Sequence, residues 1–459
     1  MKGKILMLFS LLIISLGSCE SFLDLKPQGK TIPKTPEEYS AMIHQMIFDI
    51  ENEKGGFIMQ GTTDIIDTEA ISDNLDANIY LGQEMIPFYV GQRVNQTIYS
   101  KLYQNIRNCN IILDGLGNDE TDYGLKVRSA AHAIRGVCYY ELIKHYCKAP
   151  LGGIWPELGM PIVDEFNMEA RPIRSSYEKT VAFINDDFKT ALSIYNLDDP
   201  VYMFTSDVVK AYQARLYFWT GQWQKVIDVA SELLDSYPVL SRDDYSKMVL
   251  GNASFPNMIV RYKNVLSQNS QVSDRVYTAL RNRPVSIDFI NIFDSRERDI
   301  RYIESINRHR NPIKLFIGAI RSEEMLLMAA ESHYYLDGKS QAIELLNLLR
   351  SKRISDYENI TEQTIPNVTD NSVVMNDAMG RDLTPLARLI INERRKELFM
   401  EGNRFMDLKR LGSPESWVSR NGLAYTTKPF MYTWPIPSED IELNPGIVQN
   451  EGYTEFIYN

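Results

Sequence analysis

The stretch VVKAYQARLYFWTGQWQKVIDVASELLDSYP, which runs from Val208 to Pro238, determines how the rest of the sequence is interpreted. Small and apolar residues recur in it at steps that are multiples of four. These residues are Ala214, Phe218, Val226 and Ala230. Such a step places side chains on one face of an α-helix. Because Gly221 lies near the middle and Pro238 ends the unit, the stretch predicts two antiparallel helices joined by a short turn.

A second stretch, from Glu323 to Arg353, has the same step of four. Its recurring residues are Ala330, Tyr334, Gly338, Ala342 and Leu346. Helix pairs of about 34 residues with small residues where the helices cross resemble tetratricopeptide repeats. The sequence therefore predicts a mostly α-helical fold with a tetratricopeptide-repeat-like scaffold. An insertion at roughly residues 239–319 separates the two units.

Further helices are expected on both sides of this insertion. Thr35, Pro36 and Glu38 form a strong helix start, and that helix should end near Asp49. Helical spacing also predicts helices at about residues 99–113, 126–146 and 175–195. Thr384 is expected to cap a later helix that runs to Gly402.

Other segments lack the helical pattern. Residues 55–95 are predicted to form a long polar loop with aromatic residues, and long loops in compact domains are often functional. In the insertion, Met258 to Tyr262 predict a short strand and residues 287–292 a short helix, within a smaller irregular subdomain. Residues 354–382 are expected to form a loop, and residues 430–459 are expected to contain no regular helix.

The front of the chain has the features of an export signal. Two lysines precede an apolar run, residues 5–16, which is too short to span a bilayer. The sequence LGSC, which ends at Cys19, resembles a bacterial lipobox. The resemblance implies that residues 1–18 are a signal peptide, and that residues 19–34 form a leader whose Cys19 carries acyl chains such as palmitate. The alternative is an ordinary secretory signal followed by a chance cysteine.

The charge balance excludes some partners. The chain has 49 basic and 60 acidic residues and a net charge of −11. This excess of acid argues against binding to nucleic acid and against electrostatic docking on anionic lipid.

The remaining cysteines are Cys109, Cys138 and Cys147. Cys138 and Cys147 fall in one helical pattern, where nine residues of rise separate them by about 13 Å, too far for a disulfide. Cys109 and Cys138 could pair across neighbouring helices, although buried free thiols are the favoured interpretation.

Several motifs in order carry a resemblance to a known family. They are Cys19 with Phe22-Leu23-Asp24, the run from Glu323 to Glu331, Asn347-Leu348-Leu349-Arg350, Glu393-Arg394-Arg395-Lys396-Glu397-Leu398, the run from Glu401 to Arg410, Trp434-Pro435-Ile436-Pro437, Asn444-Pro445 and Gln449-Asn450 with Gly452-Tyr453. The chain resembles the SusD/RagB family of outer-membrane nutrient-binding lipoproteins. The resemblance implies an N-terminal SusD-like helical region at residues 35–238 and a C-terminal SusD/RagB region at residues 320–459.

The resemblance implies about four helix pairs, with irregular loops and short strands building the ligand face. It implies a binding protein without a cofactor rather than an enzyme. The ligand is an oligosaccharide in most members of the family and a peptide in some. The implied partner is a SusC-like TonB-dependent outer-membrane transporter, over which the lipoprotein sits as a lid facing the cell exterior.

Two segments contain the residue types that bind sugars. Glycan binding needs flat aromatic faces against C–H surfaces, and planar amide or guanidinium groups for neighbouring hydroxyls. The candidate ligand-binding residues are Asn78, Tyr80, Tyr89, Arg93 and Asn95 in the first long loop, and Tyr277, Arg281 and Asn282 in the insertion. The family places ligand contacts on comparable loops.

The sequence leaves several alternatives to oligosaccharide binding. The chain has no His-Glu-x-x-His pair and no Gly-x-Ser-x-Gly elbow, but paired carboxylates of a glycoside hydrolase remain an alternative. Peptide capture and a purely structural adaptor are two more. Oxygens of Asp73, Asp76, Asn78 and Glu84 could bind calcium, but ordinary solvated acids are favoured and no metal is expected. The charged run 393–410 is predicted to be a structural ion-pair network, and Trp434 a core residue.

Overall fold

The computed structural model describes residues 33–52, 58–76, 96–167, 169–250, 254–264, 284–314, 317–367, 372–420 and 423–453. The helices are α1 (Pro36–Glu51), α2 (Thr62–Ala70), α3 (Gln96–Leu116), α4 (Asp122–Tyr146), α5 (Tyr177–Ile194), α6 (Ser206–Trp219), α7 (Trp223–Ser236), α8 (Arg242–Leu250), α9 (Ile287–Asn291), α10 (Ile300–Ser305), α11 (Ser322–Tyr335), α12 (Lys339–Ser351), α13 (Pro385–Glu397), α14 (Arg404–Arg410) and α15 (Ser438–Leu443). The strands are β1 (Leu158–Pro161), β2 (Arg174–Ser176), β3 (Met258–Asn264), β4 (Ile317–Arg321), β5 (Ser416–Arg420) and β6 (Leu423–Thr427). Consecutive strands pair antiparallel as β1–β2, β3–β4 and β5–β6. Among the helices of these ranges, none is both long and apolar enough to cross a membrane.

The two predicted repeat units are confirmed as helix pairs. Helices α6 and α7 are joined by a turn in which Gly221 has a φ of +74°, and α11 and α12 by a turn in which Asp337 has a φ of 61°. Helix α7 packs on α11, so the two units are neighbours in space although the insertion separates them in sequence. The small residues of the pattern are fully buried, as close helix crossings require: Ala214, Ala230, Ala330 and Ala342.

The helices around these pairs follow the sequence patterns closely. Helix α3 packs on α4, α4 on α5, and α13 on α11. The predicted capping box of α1 is present: the Thr35 hydroxyl accepts from the Glu38 amide at 3.4 Å, and the Glu38 carboxylate accepts from the Thr35 amide at 3.3 Å. Thr384 caps α13 by accepting from the Ala387 amide at 3.1 Å. The predicted helical scaffold is therefore confirmed.

The largest apolar core lies between α1, α3–α7 and α11, and it includes the predicted core residue Trp434. Trp434 is 5% exposed, and its ring centroid lies 4.3 Å from that of His145. Cys109, Cys138 and Cys147 are buried free thiols, so the open question of a Cys109–Cys138 pair is answered in favour of unpaired cysteines.

Short helices occur where the sequence predicts none. Helix α2 forms inside the predicted loop 55–95, and its nine residues bury Ile65 and Ala70. Nine residues contain too few repeats of the helical pattern to identify a helix from sequence. A helix of this length is stable only because it packs against the rest of the fold. Helix α15 forms within residues 430–459, where Glu439 and Asp440 in the first turn suit the helix dipole.

The insertion 239–319 is more regular than predicted. The expected strand is present as β3, which pairs with β4, and the expected short helix is α9. Helices α8 and α10 are additional. The carboxylate of Asp299 caps α10 by accepting from the Arg301 amide at 3.0 Å, a local contact within a polar run.

Two helix ends differ from the prediction. Ser176 rather than Ser175 caps α5, with its hydroxyl accepting from the Lys179 amide at 3.2 Å. Helix α13 ends at Glu397 and not at Gly402, because the backbone at Met400 and Gly402 has φ values of 61° and 75°. This left-handed turn separates α13 from α14.

Candidate ligand-binding site

The predicted ligand-binding residues lie outside the residues that the structure describes. Asn78, Tyr80, Tyr89, Arg93 and Asn95 fall in residues 77–95, and Tyr277, Arg281 and Asn282 fall in residues 265–283. The predicted lipidation site Cys19 also lies outside the described residues. The structure does describe the residues that flank both ligand segments.

The flanks of the two segments are paired with each other. The Asp76 amide donates to the Pro284 carbonyl at 2.8 Å, and Leu75 and Val285 form an antiparallel bridge. The Ser286 amide continues the pairing by donating to the Asn74 carbonyl at 2.9 Å. The last described residue before segment 77–95 and the first after segment 265–283 therefore lie side by side.

Arg310 joins these two flanks. Its guanidinium Nη1 donates to the Asp76 carboxylate at 2.6 Å and to the Val285 carbonyl at 3.1 Å, and its own carbonyl accepts from the Val285 amide at 2.7 Å. The side chains of Asp76 and Arg310 are 40% and 31% exposed. We call residues 73–76, residues 284–286 and Arg310 the junction.

An apolar cluster supports the junction from below. Leu75 and Val285 are buried in it together with Phe289, Phe293 and Ile65. The Phe289 ring stacks on Phe399, which lies just beyond the end of α13, with centroids 4.6 Å apart. The junction is therefore fixed to the C-terminal charged run as well as to the insertion.

Two arginines of the charged run hold Asp73. Arg404 donates from Nε and Nη2 to the two Asp73 carboxylate oxygens at 2.6 and 2.7 Å, and Arg395 donates to the Asp73 carbonyl at 2.7 Å. Burial by itself raises the pKa of the Asp73 carboxyl, but the charges of Arg395 and Arg404 outweigh it and hold that pKa below its usual range. Asp73 is therefore an ionised structural residue, neither a solvated acid nor a calcium ligand.

Glu69 connects the same part of the chain to the turn after α13. Its carboxylate accepts from Asn74 Nδ2 at 2.8 Å and from the Gly402 amide at 3.3 Å, while Arg395 donates to Asn74 at 2.8 Å. Glu69 is 1% exposed, and burial raises the pKa of its carboxyl to about 7 despite these hydrogen bonds and the charge of Lys314.

Gly402 cannot be replaced without displacing its neighbours. A Cβ at this position would lie 2.4 Å from Oε1 of Gln60, and its φ of +75° already disfavours other residues. The glycine thus lets the turn approach the segment that leads to the junction.

The other half of the charged run forms a buried ion-pair network, as predicted. Glu397 is fully buried and accepts from Arg353 at 2.9 and 3.0 Å and from Arg321 at 3.2 Å. Burial alone raises the pKa of Glu397, but the charges of Arg353 and Arg321 outweigh burial and lower it. The partners of Glu397 come from other parts of the chain.

Neighbouring acids of the run are also paired with buried cations. Glu393 contacts Arg301 at 2.7 Å, Lys396 at 2.6 Å and Arg350, and Glu401 contacts Lys314 at 2.6 Å and Arg321 at 2.8 Å. These acids bind protein cations, which supports a structural role for the run.

Family models match both halves of the chain. A model described as starch-binding and associating with the outer membrane matches residues 21–218, and a model described as the SusD family matches residues 317–453. The chain belongs to the SusD/RagB family. Both the first flank of the junction and the charged run that holds it lie inside these matches.

Relatives and solved structures agree with this family. The SusD-like protein P25 of Formosa agariphila is 21% identical, over 99% of this chain and 100% of that protein. A SusD superfamily structure from Bacteroides thetaiotaomicron has a TM-score of 0.69 at 20% identity and covers 91% of this chain and 99% of that chain. A laminarin-binding SusD-like protein has a TM-score of 0.61 at 16% identity, over 92% and 100% of the two chains. At these identities the structures establish a SusD fold.

Some residues of the junction were not found from the sequence. Arg310 gives no signal, since it lies in a polar turn, and its partners are distant in sequence. Asp73 was considered only as a possible calcium oxygen. Among the described residues, no group of histidine, cysteine and acidic side chains is arranged to hold a metal ion.

Proposed function

We propose that this SusD/RagB protein is a lipid-anchored outer-membrane protein on the cell exterior that binds an oligosaccharide and passes it to a SusC-like TonB-dependent transporter. The junction is the observation that carries the proposal. Because its two flanks are hydrogen bonded, the residue that precedes the predicted ligand segment 77–95 lies beside the residue that follows the segment 265–283. Residues far apart in sequence can then contribute to one binding site.

The chemistry of the predicted residues suits a carbohydrate. Tyr80, Tyr89 and Tyr277 offer flat faces for the C–H surface of a sugar, while Arg93 and Arg281 offer planar donors for neighbouring hydroxyls. The description of the matched family model as starch-binding, and the laminarin-binding relative, support the same ligand class. A binding protein without catalytic activity fits this description.

The test uses soluble protein that begins after Cys19. Calorimetry should detect saturable binding to starch-derived or laminarin-derived oligosaccharides and no product formation on prolonged incubation. Tyr89→Ala and Tyr277→Ala should each weaken binding tenfold or more. Tyr123→Ala is the matched control, because Tyr123 is an exposed tyrosine on α4, and it should leave the affinity unchanged.

Each other outcome changes the proposal in a defined way. Binding to mixed peptides alone would replace the carbohydrate with a peptide. Cleavage of the oligosaccharide that a single carboxylate substitution abolishes would make the protein a hydrolase. Equal affinity in the wild type and both tyrosine variants would exclude the proposed residues.

A second experiment tests the anchor and the partner. Full-length protein and a Cys19→Ala variant are expressed in a native-like host, and outer membranes are isolated. The wild type should fractionate with the membrane and co-purify with a TonB-dependent barrel, and Cys19→Ala should be released into the soluble fraction. If Cys19→Ala stays with the membrane, the proposed lipid anchor is wrong. If no barrel co-purifies with the wild type, the proposed partner is wrong.

A further inference from the structure

A cleft lies at the turn between α11 and α12, away from the junction. Its volume is about 230 Å³, and it is bounded by Tyr334, Asp337, Glu362, Arg381 and Thr384. This volume is below the range of about 300–1,000 Å³ that is usual for drug-sized ligands, so the cleft is suited to one sugar ring rather than to a chain of them.

Arg381 is held in a fixed orientation at this cleft. Its Nε donates to the Asp377 carboxylate at 3.0 Å, its Nη2 lies 2.9 Å from the same carboxylate, and Asp377 is fully buried. The guanidinium also lies over the rings of Tyr334 and Tyr335, 5.5 and 5.4 Å from their centroids. Because the side chain remains 52% exposed, a ligand can reach it without first ordering it.

The aromatic residues below Arg381 are themselves fixed. The Tyr335 ring lies 4.4 Å from that of Trp223, and the Tyr335 hydroxyl donates to Glu331 at 3.0 Å and accepts from the Ala378 amide at 3.0 Å. The Thr384 hydroxyl donates to the Tyr334 hydroxyl at 3.0 Å. The side chains of Tyr334 and Arg381, which line the cleft, are therefore held in place, and this reduces the entropy lost on binding.

The charges of the cleft are balanced. Arg381 and Lys339 provide two cations, and Asp337 and Glu362 provide two carboxylates. Donors and acceptors around one small cleft suit hydroxyl groups, which both donate and accept, better than a ligand with a net charge. Ile365, Pro385 and Leu386 add an apolar side against which the C–H face of a sugar can pack.

We propose that this cleft binds one neutral monosaccharide unit, as a second carbohydrate site that shares no residue with the predicted ligand segments 77–95 and 265–283. Arg381 is its main donor, and Asp337 and Glu362 are its acceptors. The proposal shares the carbohydrate ligand class with the proposed function but does not depend on the predicted ligand segments.

The experiment measures binding of glucose, mannose, galactose and short laminarin fragments by saturation-transfer NMR and calorimetry. It uses the soluble protein that begins after Cys19. Arg381→Ala should weaken binding of a single hexose tenfold or more. This substitution also removes a partner of the buried Asp377 and could therefore affect folding. Two substitutions at exposed residues of the cleft, Glu362→Gln and Lys339→Ala, avoid this problem. Each should weaken binding of a single hexose severalfold. Arg107→Ala, an exposed arginine on α3, is the matched control and should have no effect.

The two carbohydrate sites are separated by comparison with Tyr89→Ala. Hexose binding that persists in Tyr89→Ala and is lost in Arg381→Ala supports the cleft, even if the junction proposal fails. Hexose binding that is lost in Tyr89→Ala and unchanged in all three cleft variants overturns the cleft and leaves the proposed function intact. Absence of saturable hexose binding by the wild type also overturns it.

Discussion

The repeat pairs and the charged run are equally buried but are held together by different forces. Ala214, Ala230 and Leu346 in the repeat pairs are fully buried among apolar side chains. Glu393 and Glu397 in α13 are also fully buried, but each is surrounded by arginines from other elements. Apolar packing depends on volume and shape, whereas a buried charge depends on specific partners.

This difference predicts different tolerance to substitution. A well-packed apolar site accepts a residue of similar volume, because contact is not directional. A buried carboxylate accepts no residue that leaves its arginines unpaired, since an uncompensated charge in the interior is costly. The predictions below test this contrast from the largest expected effect to the smallest.

Glu397→Ala should cause the largest loss. It removes the carboxylate that pairs with Arg353 and Arg321, both fully buried, and breaking a buried pair costs about 3–5 kcal/mol. Urea denaturation followed by circular dichroism measures the change in the free energy of unfolding. A loss below about 1 kcal/mol would show that water reaches these arginines and would remove the contrast.

The stability of Glu69→Gln relative to the wild type should increase as the pH rises. Burial raises the pKa of Glu69 from 4.5 to about 7, so its contribution to stability is fully present below pH 4.5 and is lost as pH rises through 7. Glutamine does not titrate, so the variant avoids this loss, which is at most about 3 kcal/mol.

Melting temperatures of both proteins at pH 5 and pH 8 measure the effect. The advantage of Glu69→Gln over the wild type should be larger at pH 8. An advantage that does not change with pH would mean that Glu69 titrates near its ordinary pKa in the folded protein.

Arg353→Lys should be poorly tolerated although the charge is conserved. Arg353 donates to Glu397 and Glu323 at distances of 2.9 and 3.0 Å, and lysine cannot reproduce this planar arrangement of donors. The expected loss is about 2 kcal/mol, since hydrogen bonds to charged groups contribute about 1.5–3 kcal/mol each. Chemical denaturation of the variant checks this value.

Leu346→Met is the matched conservative change in the apolar region and should have the smallest effect. Leu346 is fully buried in α12, and a volume-conserving apolar swap usually costs less than about 1.5 kcal/mol. The same denaturation measurement applies. If Leu346→Met costs more than Arg353→Lys, the contrast between the two regions is wrong.

The sequence predicted the parts of the fold that have a local period. The step of four in residues 208–238 and 323–353 identified both repeat pairs, because helix crossings need small residues at regular spacing. The charged run was recognised as structural, but its partners Arg301, Arg321 and Arg353 were not. Those contacts join segments far apart in sequence, and no local pattern encodes them.

The candidate site was predictable only in its chemistry. Tyr80, Tyr89 and Tyr277 have side chains of the type that binds sugars, but nothing in the sequence indicates that the flanks of their segments meet. That knowledge comes from Asp76, Pro284 and Arg310, which are paired in the structure. Helix α2 was missed for the same reason, since its stability depends on distant packing.

The pairing of Asp73 with Arg404 has a consequence for the order of events during synthesis. The two residues are 331 positions apart, so Asp73 is made long before Arg404. The junction therefore cannot be completed until the chain has been made as far as α14. A chain that is truncated before α14 keeps both ligand segments in its sequence but lacks Arg404, which holds Asp73 at the junction.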